Sequence, residues 1–111
     1  METRSENQGS SGTEAMATLS EYLELALEKG ERLLMVSEQP GTFTLYLSKT
    51  ASPDDEEDMR KCGSIPGGLG NAILNATQFG FNKLTFNDVT YRFTRSFAQL
   101  GSRGAVAFAA L

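Results

Sequence analysis

The sequence predicts an α+β fold, an antiparallel sheet of about four to five strands built from two helix–hairpin units with the helices packed on one face. Three observations carry this reading. Segments with apolar residues at helical spacing are each followed by segments in which apolar and polar residues alternate. Gly and Pro fall at the junctions between them. A chain of 111 residues that is 40% apolar can bury one modest core.

Residues 1–16 are rich in Ser, Gly, Glu, Asn and Gln and lack an apolar period. They read as a disordered tail, which places the single domain at 17–111. Thr18-Leu-Ser-Glu21 fits a capping box, and Leu19, Tyr22, Leu23 and Ala26 recur at helical spacing. Lys29 and Gly30 suit a helix end, so the first helix is expected over 18–29. Leu33-Leu-Met-Val36 and the alternating Phe43, Leu45 and Leu47 then form two strands around a turn at Gln39-Pro-Gly-Thr42. Continuing the helix through Gly30 is the rival, and it costs about 1 kcal/mol for a glycine inside a helix.

Ser52-Pro-Asp-Asp-Glu-Glu-Asp58 reads as the start of a second, short helix ending near Gly63. Pro66-Gly-Gly-Leu-Gly70 breaks it, and another short helix follows over 71–79. Leu84 and Phe86, then Val89, Tyr91 and Phe93, alternate with polar residues on either side of Asn87-Asp88. A two-residue turn there sets Phe86 opposite Val89, Leu84 opposite Tyr91 and Lys83 opposite Arg92. Arg95 has the parity of the apolar face, which suggests a bulge or strand end. Residues 105–111 fit either a last strand or a short helix.

Charge is divided along the chain. Thirteen of the 14 acids precede Met59, so the first 59 residues carry −9 and the remainder +5. Such a division points to an anionic partner or to mutual attraction between the halves. Lys83, Tyr91, Arg92, Arg95 and Arg103 are the candidate surface for a partner or anion, and Asp54, Asp55, Glu56, Glu57 and Asp58 form a candidate acidic docking surface. The acids lack the ligand spacing of an EF-hand loop and read first as a helix start. Gly67-Gly-Leu-Gly70 lacks the third glycine of a dinucleotide fingerprint and reads as a turn. Cys62 follows Arg60 and Lys61, which would favour the thiolate, yet the lone thiol reads as structural.

Residues 21–48 resemble the opening of an SH2 domain, with Leu33-Leu-Met-Val36 as first strand and Gly41-Thr-Phe-Thr-Leu-Tyr-Leu-Ser48 as second. Val36 stands where that family needs its phosphotyrosine-binding arginine, so no function transfers.

The chain has no histidine, which removes the commonest general base and every Ser–His or Cys–His pair. No metal set, cofactor or nucleotide motif is expected. The absence of an apolar run or secretory signal predicts a cytoplasmic protein with no membrane partner. The expected function is a small non-enzymatic interaction protein, a regulator or inhibitor of phage or bacterial accessory type. It would bind another protein, with a homodimer as one form. The alternative is a nucleic-acid-binding module using Lys83, Arg92, Arg95 and Arg103, with Tyr91 or Phe97 stacking on bases. A carboxylate enzyme is the third reading.

Overall fold

The computed structural model describes residues 2–50, 59–100 and 103–111, with side chains from Gly12 onward. The elements run α1 (Glu2–Lys29), β1 (Arg32–Gln39), β2 (Thr42–Ser48), β3 (Met59–Pro66), α2 (Gly67–Ala76), β4 (Gly80–Phe86), β5 (Val89–Leu100) and β6 (Arg103–Ala110). The architecture is α+β, with six antiparallel strands among the described residues in the order β3-β2-β1-β6-β5-β4. Each expected helix–hairpin unit is a helix followed by three strands. The two units join where β1 pairs with β6.

Helix α1 begins on the N-terminal side of Thr18, so the capping box there is not its start. Ala15 is fully buried and lies one turn before Leu19, which extends the apolar stripe of Leu19, Leu23 and Ala26. The other end is as expected. Gly30 takes a φ of +67°. Its N–H donates to Leu27 O, and the Glu31 N–H donates to Ala26 O at 2.9 Å, the paired bonds of a Schellman motif. That closure releases β1 from the helix.

Residues 59–66 form strand β3 rather than the end of a short helix. The remainder of that expected helix, 52–58, lies outside the described residues. Strand β3 is an edge strand, and an extra residue at Cys62 shifts its register between Leu45↔Gly63 and Tyr46↔Lys61. Arg60, Lys61 and Pro66 also suit an edge that must not pair with another chain.

Gly67–Gly70 is the first turn of α2, not a turn preceding a helix at 71–79. Gly67 and Gly70 serve close packing. The Gly67 N–H donates to Gly41 O at 2.8 Å. A Cβ at Gly70 would run into the Phe43 ring. Helix α2 therefore lies directly against the β1–β2 hairpin.

The β4–β5 register is the expected one, with Lys83↔Arg92, Leu84↔Tyr91 and Phe86↔Val89. Asn87 and Asp88 both take positive φ, as a two-residue type I′ turn requires. Residues 105–111 resolve to strand, as β6 covers all but Leu111 and sits between β1 and β5.

Two apolar clusters flank the sheet. The larger joins Leu19, Leu23 and Ala26 of α1 and Ile73 of α2 to Leu33, Leu45, Phe93 and Phe108. Both helices thus cover one face. The smaller cluster lies on the opposite face, where Leu34, Val36, Ala98, Leu100, Ala105 and Ala107 are buried and Tyr46 and Met59 pack against them. Among the described residues no helix is long and apolar enough to cross a membrane.

Candidate functional site

Strand β5 organises the candidate residues. Its side chains alternate between the helix-covered face and the opposite face, which is helix-free among the described residues. Tyr91 and Phe93 are buried on the helix side, and Ala98 and Leu100 on the other. The buried side of the strand therefore changes between Phe93 and Ala98.

The five basic and aromatic residues expected to form one surface fall in four places. Lys83 and Arg92 stand opposite each other on the helix-free face, both exposed. Tyr91 points the other way, into the core, and its hydroxyl donates to Glu24 Oε2 at 2.7 Å. That bond, followed by burial, holds the phenol above its ordinary pKa. Tyr91 ties α1 to the sheet and is not available for stacking.

Arg95 is also on the helix side. Its Nη1 donates to Leu74 O at 2.9 Å, Thr77 O at 2.7 Å and Thr77 Oγ1 at 2.9 Å. These are two carbonyls and a hydroxyl at the C-terminus of α2, where a cation also meets the negative end of the helix dipole. Its Nε is buried without a partner among the described residues. There is no bulge at Arg95, which pairs with Gly80 on one side and Phe108 on the other. Its parity places it at the helix end.

Arg103 lies on the helix-free face, where its Nη1 donates to Glu38 Oε2 at 2.9 Å. The Tyr46 hydroxyl donates to the same oxygen at 2.7 Å. The Tyr46 bond, with that of Arg103, holds the Glu38 carboxyl below its usual range. Asp54, Asp55, Glu56, Glu57 and Asp58 lie outside the described residues.

The surface that emerges instead is aromatic. Phe97, on β5 beyond Arg95, is 75% exposed and Phe79 is 49% exposed. Their rings lie 4.6 Å apart between centroids, tilted by 37°. The Arg95 guanidinium sits 4.3 Å above the Phe79 ring, a cation–π contact that fixes the ring while Arg95 caps α2. Sequence reasoning named Phe97 as a stacking residue but missed its partner. The helix expected over 71–79 would take in Phe79, but α2 stops at Ala76.

A shallow cavity of about 190 Å³ lies between α1 and the start of β5, lined by Leu23, Leu27, Val89, Tyr91 and Arg92. Glu24 is the carboxylate at its wall. Among the described residues no three Cys, Asp or Glu side chains are grouped as a metal site would need. Cys62, half-buried on β3, has its thiol pKa raised by burial, which outweighs the lowering by Arg60. Arg60 itself is paired with Glu31 at 2.7 Å.

Comparison with protein-family models, curated proteins and solved structures finds no match.

Proposed function

We propose that this chain is a small non-enzymatic interaction protein, a regulator or inhibitor, that docks a partner protein on the Phe79–Phe97 surface. The observation that carries the reading is the exposure of Phe97. It occupies a helix-side position of β5, just past the last residue paired with β4, and 75% of it faces solvent. A phenylalanine left in water forgoes about 1.5–3 kcal/mol of burial. Among the described residues, the ring contact that offsets this is the one with Phe79.

The composition of the patch also suits protein recognition. Aromatic residues are enriched at the centres of interfaces, where desolvated anchors dominate the binding energy. Arg95 holds Phe79 in place, so less freedom is lost when a partner arrives.

The test is site-specific photocrosslinking. A benzophenone side chain at position 97, introduced in cells of the native host, is expected to give a discrete protein adduct. The same group at Thr85, exposed on the other face, should not give it. Phe79→Ala should reduce the yield. An adduct at twice the chain mass would identify the homodimer. Absence of any adduct specific to position 97 would refute the docking surface.

A further inference from the structure

We infer that the helix-free face of the β4–β5 hairpin binds single-stranded nucleic acid, stacking a base on Phe81 and holding phosphates on Lys83 and Arg92. This surface is on the opposite side of the sheet from Phe97 and does not rest on the protein-docking reading.

Leu84 and Phe86 turn toward the helix-side core, so alternation puts Phe81, Lys83 and Thr85 on the other face of β4. The register sets Thr94 opposite Phe81, Arg92 opposite Lys83, and Thr90 opposite Thr85. The two threonine hydroxyls lie 3.0 Å apart and occupy each other. Lys83 and Arg92 are different. Like charges directly opposite one another weaken a strand pair. Among the described residues, no acid forms an ion pair with either one. An anion between them would turn repulsion into attraction.

Phe81 supplies the second element. It is 50% exposed and lies about 7 Å along the strand from Lys83, two residues on the same face. Thr94 lies opposite Phe81 and Ala109 beyond it on β6, so the side chains directly across from the ring are small. An open sheet face bearing an exposed aromatic ring and adjacent cations is the chemistry that takes up unpaired bases and their phosphates. Two cations and a flat sheet have neither the charge nor the shape to hold a duplex in its groove.

This differs from a site built on every basic residue of the C-terminal half. Arg95 is spent on the end of α2, Arg103 on Glu38, and Tyr91 on Glu24. What remains is Phe81, Lys83 and Arg92.

Fluorescence anisotropy with fluorescein-labelled oligo-dT and oligo-U of about 20 nucleotides tests the inference on the full chain. With two phosphate contacts, affinity should fall about sevenfold between about 50 mM and about 200 mM salt. Phe81→Ala should weaken binding about tenfold, the loss expected for one stacked base, and Phe81→Tyr should restore it. The double variant Lys83→Gln/Arg92→Gln should flatten the salt dependence. Phe97→Ala should bind as the wild type does. All these positions are exposed, and circular dichroism on each variant checks that the fold is kept. The inference is overturned if neither oligonucleotide binds at low salt, or if Phe81→Ala binds as well as wild type. It is equally overturned if ATP competes as well as the oligonucleotide, which would make this a free-nucleotide site.

Discussion

The two halves of strand β5 obey the same alternation and bury opposite faces. From Tyr91 to Thr94 the helix side is covered, so Tyr91 and Phe93 are buried while Arg92 faces solvent. From Phe97 to Leu100 the relation inverts. Phe97 and Gln99 are exposed on the helix side, and Ala98 and Leu100 are buried on the other. A single strand thus serves two cores that are offset along the sheet. Each core leaves the face behind it open, and those two open places are where the protein-docking surface and the nucleic-acid surface are proposed. A strand's apolar period states which residues share a face. It does not state which face is covered.

The contrast can be broken most forcefully in the two cores. Phe93 is fully buried against Phe108, with ring centroids 6.0 Å apart. Phe93→Ala is expected to cost about 3–5 kcal/mol in urea denaturation, the range for a buried aromatic. Leu34 is the corresponding position in the smaller cluster on the helix-free face. If that cluster is a true core, Leu34→Ala costs about 2–5 kcal/mol. A loss below about 1 kcal/mol would show that the sheet has one core only.

Arg95 stands at the switch point between the two halves. Its guanidinium serves three acceptors at the end of α2. Arg95→Ala is expected to destabilise by about 1–3 kcal/mol and to loosen Phe79. Arg95→Lys should recover little of this, because an ammonium cannot both cap the helix and lie flat over the ring. Recovery by lysine would show that charge alone matters there.

A smaller effect should appear with pH on the helix-free side. Glu38 is held below its usual pKa, first by the Tyr46 hydroxyl. The folded chain then binds fewer protons than the unfolded chain in this range, so the carboxylate's contribution is complete above its unfolded pKa. It is lost as pH falls through the lower, folded value. The difference in melting temperature between wild type and Glu38→Gln should therefore be present at neutral pH and vanish on acidification. A difference that persists unchanged to strongly acid pH would deny the link. The smallest effect concerns Cys62, whose thiol is raised by burial. Its reaction with a thiol reagent at neutral pH should be slower than that of a free thiol, since only the thiolate reacts.

Much of the fold was legible because local chemistry decided it. Asn87 and Asp88 accept positive φ, and with alternation on both sides they fix the β4–β5 register. Lys29 and Gly30 end α1 for equally local reasons. Strand β3 was not legible, because its apolar signal is thin: Ile65 is its one buried residue, and the bulge at Cys62 interrupts the alternation. The site was harder. The parity of Arg95 was visible, but its partners Leu74 and Thr77 are set by how α2 crosses the sheet. Tyr91 and Arg92 are sequence neighbours with opposite fates for the same reason, since only the placement of α1 says which of them is covered.

The most direct measurement is the urea midpoint of Phe97→Ala. Phe97 is proposed to be kept for a partner and not for the fold, so only its contact with Phe79 should be lost. The expected cost is no more than about 1 kcal/mol, against several for Phe93→Ala. A fall in midpoint comparable to that of Phe93→Ala would place Phe97 inside a core and contradict the account.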